Sequence, residues 1–354
     1  MIVYSESQYV GPLGHPATRA AVTQLVAQRA MLPNLCVFAA INLLFLAGVW
    51  DLAAGSLLQS AIAVPLLSVA MILAWYLGHD CAHSIVFENR KWNYRLGSYL
   101  AWINGFAYFR FRDYSHDHIR HHAQKVDLLG TDVNQLLASF PGWIRRLVLR
   151  LEHSYFPVLH YLIKIDGAIA ILRADDKWYR MRVLAMAALS AGFLALITLK
   201  HWFALPLYFA AQGIRIHCTR FVDAFQHSYI EADPADHTAP GDKLYEHKNT
   251  FSFPVAYRHR WLNLLILNFG FHNAHHSMPS CPWYHLPRLD TLLTSHDCGA
   301  PQDLANVTMR NLLAAYHRHR KVRVTASDEG QPYDAGGRFS LEKFTGAFTD
   351  KLLG

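Results

Sequence analysis

"LLQSAIAVPLLSVAMILAWYLGHDCAH" occupies Leu57 to His83. No charged side chain appears between Leu52 and Gly78. A bilayer core needs roughly 20 predominantly apolar residues in a helix. Buried core helices of a soluble protein are the competing reading, and this run exceeds them in both length and purity. The apolar run ends directly in His79 and His83, four residues apart. A membrane helix that delivers histidines at its end is the pattern from which the rest of the chain is read.

Two more stretches lack charge, Met31 to Trp50 and Val183 to Leu199. The predicted spans are Leu32–Trp50, Leu57–Gly78, Arg182–Leu199 and Trp202–Arg220, the last carrying Arg215 and His217. They pair into two hairpins, turning at Asp51 to Gly55 and at Lys200 and His201. Apart from Lys200, every Lys and Arg falls outside those turns. The positive-inside rule therefore puts both termini and the segments between hairpins in the cytoplasm. Only 17% of the 354 residues are charged, against nearer a quarter in soluble domains. The expected fold is an all-α integral membrane protein, with four transmembrane helices in two hairpins and a cytoplasmic helical cap. One domain is expected over 1–354, with its core at about 32–290, an N-terminal cytoplasmic arm at 1–31 and a loose tail at 321–354.

The start, "MIVYSESQYV", lacks a basic region followed by an apolar stretch, so no cleaved signal peptide is expected. The five cysteines are odd in number and scattered, which argues for free thiols rather than a disulfide framework. The net charge of +7 is explained by topology and anionic lipid, and no nucleic-acid motif accompanies it. The segments Tyr99 to Phe109 and Trp143 to Lys164 mix aromatic, aliphatic and basic residues, which suits interfacial helices or an ordinary cap.

Histidine placement carries the chemistry. "GHDCAH" gives His79 and His83; "DHIRHH" gives His118, His121 and His122; "HNAHH" gives His272, His275 and His276. Positions i, i+3 and i+4 share a helix face, so each group presents its rings in one direction. The expected topology brings all eight to one membrane face. Any one could be a satisfied structural histidine; two HxxHH motifs and one HxxxH together are not explained that way. "HDCAH" also resembles a zincin helix, with Asp80 in place of the glutamate. A catalytic zinc takes three protein ligands, and eight histidines overfill such a site. They suit two metals of higher coordination number, and imidazole serves iron as well as zinc.

One HxxxH and two HxxHH motifs set around two hairpins resemble the membrane fatty-acid desaturase superfamily, over roughly Leu57 to Pro287. "GHDCAH" and "HNAHH", followed by "PWYHLP", are most similar to the bacterial acyl desaturase and fatty-acid oxidase branch. The resemblance implies two non-haem irons, O2 as co-substrate and oxidation of a fatty acyl chain taken from the membrane. It implies the bacterial inner membrane. It also implies one more ligand after the fourth span, which "DAFQH" supplies as His227. Asp223, four residues earlier, stands where some relatives have an asparagine that holds water; it is the candidate catalytic residue, as ligand, water holder or orienting group. Asp80, Asp117 and Asn273 adjoin ligands, and His217 is a candidate for orienting one. Trp75, Trp102, Phe106 and Trp283 are candidates for a tunnel wall, with plain core packing the simpler account of each.

The metal-ligand set is thus His79, His83, His118, His121, His122, His227, His272, His275 and His276. Desaturation is the expected outcome. Hydroxylation and oxidative decarboxylation of medium-chain acids to terminal alkenes share the scaffold. A membrane zinc hydrolase and a non-enzymatic metal-binding scaffold are the alternatives of another class. No haem motif, iron–sulfur cysteine cluster or dinucleotide fingerprint is present. Electrons are therefore expected from a separate ferredoxin-like or small haem carrier with its reductase.

Overall fold

The computed structural model describes residues 13, 16–128, 133–229, 231–232, 243–294 and 307–323. Along the chain run α1 (Pro16–Ala27), α2 (Met31–Ala54), α3 (Leu57–Ala82), α4 (Arg90–Ile103) and α5 (Phe111–Gln124). There follow α6 (Val133–Ala138), α7 (Gly142–His153), α8 (Val158–Arg173), α9 (Lys177–Thr198) and α10 (Ala204–Asp223). The last are α11 (Lys243–Asn249), α12 (His272–Ser277), α13 (Leu286–Thr294) and α14 (Met309–Arg323). Two-residue strands β1 (Asp127–Leu128) and β2 (Glu231–Ala232) pair in parallel. Most of the expected tail lies outside the described residues; α14 occupies its first three positions.

The chain clusters into two compact units. One comprises residues 31–116 and 133–220 and is called here the hairpin unit; the other comprises the described residues of 1–30, 117–129 and 221–348. In the hairpin unit α2 packs along α3, α3 along α4, and α9 against α2 and α8. The turn between α2 and α3 is tighter than predicted. It is closed by a capping box in which the Ser56 N–H donates to Gln59 Oε1 at 2.7 Å and the Gln59 N–H to Ser56 Oγ at 3.5 Å. Helix α3 also continues one turn past Gly78, so His79 lies inside it and His83 caps it.

Among the described residues, three helices are long and apolar enough to cross a membrane: α2, α3 and α9. Their inward residues, such as Ile41, Phe45, Leu67 and Met71, are buried. Their outward residues, including Leu43, Leu46, Leu58, Leu184 and Leu196, are large, apolar and exposed. A continuous apolar exterior of this kind is covered by lipid in a membrane protein. Helix α10 matches the fourth predicted span in length but not in apolarity. Its Arg215 and Arg220 point inward and are almost wholly buried. Arg220 Nη1 lies 3.0 Å from Glu152 Oε2 of α7, both side chains 3% exposed or less, while Glu152 Oε1 accepts the Leu159 N–H at 2.6 Å.

The second unit has its own apolar cluster, in which Val22 and Leu25 of α1 meet Phe271, Ala274, Leu286 and Leu289. Tyr284 Oη accepts the Ala30 N–H at 2.7 Å, and its hydroxyl lies 3.1 Å from the Ala30 carbonyl. The N-terminal arm is thus packed behind the segment that carries the third histidine group. Cys36, Cys81, Cys218 and Cys281 form no disulfide; Cys298 lies outside the described residues.

Candidate metal centre

The second histidine group sits on the last turns of α5. The helix stops at Lys125, which adopts a left-handed φ of +54° and donates its N–H to the His121 carbonyl at 2.8 Å. This turn aims the Val126 carbonyl at His121 Nδ1, 2.8 Å away. A carbonyl only accepts, so Nδ1 carries the proton and Nε2 keeps its lone pair. The β1–β2 pairing then ties the strand after this group to the one that follows His227.

His227 lies in an extended segment just beyond α10, held by pairing with residues 249–251. The Ser228 N–H donates to the Asn249 carbonyl at 3.0 Å and the Phe251 N–H to the Gln226 carbonyl at 2.8 Å. Ser228 Oγ bonds Asn249 Oδ1, and the hydroxyls of Tyr229 and Thr250 meet, both at 2.7 Å. The third group enters through left-handed Leu267 and Asn268. The Phe253 N–H then donates to the Gly270 carbonyl at 2.9 Å. A Cβ on Gly270 would meet the Phe253 carbonyl oxygen and Pro254 Cα, both at 2.9 Å, so glycine permits this backbone approach. Asn273 N–H donates to Ser252 Oγ at 3.0 Å as α12 begins.

These elements bring seven histidines together within the second unit. His272 Nε2 lies 2.6 Å from His227 Nε2, which lies 2.8 Å from His276 Nε2. His275 Nε2 lies 3.1 Å from His122 Nε2, which lies 3.2 Å from His118 Nε2. Two trios result: His121, His227 and His276, all buried, and His118, His122 and His275, with one ligand nitrogen of each residue within 4.8 Å of those of its trio. Burial holds His121 down to about 4 and keeps His227, His272 and His276 well below the usual imidazole range, with neighbouring imidazoles pushing the last three further down. These four rings are therefore neutral. A neutral ring has one N–H, so a string of Nε2 atoms facing one another opposes lone pairs that a cation would satisfy. His272 Nδ1 is buried with no hydrogen-bond partner among the described residues.

In the hairpin unit, His79 and His83 stand side by side at the end of α3 with ring centroids 4.8 Å apart. Asp80 Oδ1 is 3.7 Å from His79 Nδ1, and Ser115 Oγ donates to the Ala82 carbonyl at 2.6 Å.

A fatty acid desaturase family model matches residues 56–300. The chain belongs to the fatty acid desaturase family. A relative from Bacillus subtilis (strain 168), named "Fatty acid desaturase", is 26% identical over 264 residues, covering 68% of this chain and 70% of that protein. No solved structure matches the chain significantly. Membership of that family implies an oxidoreductase. The family generally uses two irons, and the donor set fits them: imidazole nitrogens, most of them buried, converging in two trios.

Sequence reasoning missed Glu246. Its Oε1 lies 3.3 Å from His276 Nδ1, and its Oε2 lies 3.7 Å from Lys125 Nζ. Burial raises the Glu246 carboxyl, against the pull of Lys125. A carboxylate behind a histidine fixes the ring with Nε2 forward. Asp223 ends α10, half-buried and outside both trios. His217 Nε2 bonds the Tyr155 carbonyl at 3.1 Å. Of the tunnel-wall residues, Trp75 and Phe106 line cavities, whereas Trp102 packs on Phe45 and Phe106. Trp283 packs edge-on to Tyr284, with its carbonyl accepting from Asn268 Nδ2 at 3.1 Å.

Proposed function

We propose that this protein uses O2 at a pair of non-haem irons to introduce a double bond into a fatty acyl chain. The observation that carries this reading is the convergence of buried, neutral imidazoles from α5, the His227 segment and α12 in a member of the desaturase family. In this reading the two trios hold the irons, with His272 beside His121, His227 and His276, and His79 and His83 are assigned as further ligands from their sequence pattern. Two irons, when bound, supply O2 reduction and hydrogen abstraction from an unactivated C–H bond. The protein's part is to hold the rings. The Val126 carbonyl and Glu246 each take a proton on Nδ1 and turn Nε2 inward. Asp223 orients water or a ligand at the edge of the site.

Helix α10 is assigned as the fourth span, with its arginines satisfied by inward contacts, and the histidine groups are assigned to the cytoplasmic side. Taking two hydrogens from the chain while O2 becomes two waters requires two further electrons and two protons, the protons coming from solvent. These come from a separate carrier, ferredoxin-like or a small haem protein, docking on the basic cytoplasmic face. The test supplies iron, O2, a carrier with its reductase and a panel of fatty acids and acyl thioesters to the purified protein. Products are identified by mass spectrometry. The expected product keeps its chain length and gains an internal double bond. A terminal alkene one carbon shorter would identify oxidative decarboxylation, and a hydroxy acid hydroxylation. The absence of any O2-dependent product would sink the reading.

A further inference from the structure

Helix α7 belongs to the hairpin unit and has two unlike sides. Val148 and Glu152, one turn apart, are buried. The Glu152–Arg220 pair fixes this inner side to the last turn of α10, the end of the helix assigned as the fourth span. On the outer side Trp143 and Leu147, also one turn apart, are 64% and 48% exposed. Phe156, just past the helix, is exposed as well. Packing within the protein accounts for Val148 and leaves Trp143 and Leu147 uncovered.

Arginines border the uncovered stripe. Arg146 follows Trp143 by three positions and Arg150 follows Leu147 by three, so each neighbours an exposed apolar side chain. Arg145, Arg146 and Arg150 are exposed, and none has an acidic partner among the described residues. Arg146 and Arg150 stand one turn apart, a spacing at which like charges repel. The only acid on α7 is Glu152, and it is turned inward to Arg220. Exposed tryptophan and leucine beside arginine, on a helix tied to the end of a span, form the pattern of a helix lying in the membrane interface. Helix α7 packs on α8 and α8 on α9, where Ile165, Ile169 and Leu184 are exposed. The stripe therefore adjoins the apolar exterior that lipid covers.

We propose that α7 is a membrane-surface anchor that binds anionic phospholipid, with Trp143 and Leu147 in the headgroup region and Arg146 and Arg150 on lipid phosphates. A guanidinium pairs with phosphate through parallel N–H···O bonds, and a phosphate shared by two arginines relieves their repulsion. A zwitterionic headgroup already neutralises its own phosphate, so a net-anionic lipid is preferred. The attachment of α7 to the end of α10 favours lipid over an acidic protein as the occupant. The inference rests on α10 as the fourth span and requires neither metal nor turnover.

The test places the full chain in phosphatidylcholine nanodiscs and reads Trp143 as the difference in fluorescence between wild type and Trp143→Phe. Brominated phosphatidylglycerol and brominated phosphatidylcholine serve as quenchers. Both should quench Trp143. The mole fraction giving half-maximal quenching should be about fivefold lower for the glycerol lipid, the factor for one basic side chain at an anionic surface. With Arg146→Gln and Arg150→Gln together the two fractions should converge, whereas lysine at both sites should keep most of the difference. Each variant is paired with its own Trp143→Phe form, and metal and helix content should match wild type in all. Trp143 quenched by neither lipid, equal fractions in wild type, or an undiminished difference in the double Gln variant overturns the proposal. So does relief of quenching by an acidic [2Fe–2S] ferredoxin at low ionic strength, which would assign the stripe to a carrier. Quenching is read without substrate. Arginine-dependent quenching with no oxidised product would remove the oxidation reading alone, and an oxidised product with Trp143 unquenched would remove the anchor alone.

Discussion

Glu246 bridges two histidine groups: it faces His276 Nδ1 on α12 and Lys125 at the end of α5. Replacing such an orienting partner typically costs 10–100-fold in metal affinity. Glu246→Ala should weaken iron retention by about that factor, and Glu246→Gln by less, because an amide oxygen still accepts from the ring. Competition against a chelator measures this; equal retention in all three proteins would leave Glu246 without an orienting role. The buried imidazoles also set a pH dependence. His121 titrates near 4 in the fold against 6.5 in the unfolded chain. Below 6.5 the unfolded chain takes up protons that the fold refuses, so metal-free protein loses stability as pH falls towards 4. Thermal unfolding of the metal-free protein across that window should show a falling midpoint; a flat or rising one would count against buried, neutral rings. The histidine groups on α5 and α12 were legible from spacing, since i, i+3 and i+4 fix a helix face; His227 entered only through the family resemblance. Glu246 was not, because its place depends on His276 and Lys125, both far away in sequence.

At the level of elements, uncharged length located α2, α3 and α9 within a few residues. Ends were less readable. The turn of α3 that holds His79 continues an apolar helix through polar residues, with the Ala82 carbonyl bonded by Ser115. Helix α10 was the weakest prediction because its arginines look like a span boundary. Arg220 is instead paired with Glu152, both nearly buried. Removing one partner of such a pair leaves an uncompensated charge and costs about 3–5 kcal/mol. Arg220→Leu should therefore lower the unfolding midpoint sharply in detergent. The double replacement Arg220→Leu with Glu152→Leu should lose less than the sum of the two single changes. Strict additivity would mean that the ion pair contributes nothing specific to the packing of α7 against α10.

For the molecule as a whole, composition announced a membrane protein, and the exposed apolar faces of α2, α3 and α9 agree. The division into two compact units was not legible, since it interleaves distant segments: α5 begins in one unit and ends in the other. The packing of the N-terminal arm behind α12 was equally hidden, because α1 shows only a short apolar stripe. The central assignment is a pair of irons held by the histidine groups. Metal analysis with Mössbauer spectroscopy on the iron-loaded full chain, beside His121→Ala and His276→Ala, tests it most directly. Two high-spin irons per chain are predicted, with at least one lost in each variant. A single tightly held zinc, or two irons retained undisturbed in both variants, would contradict it.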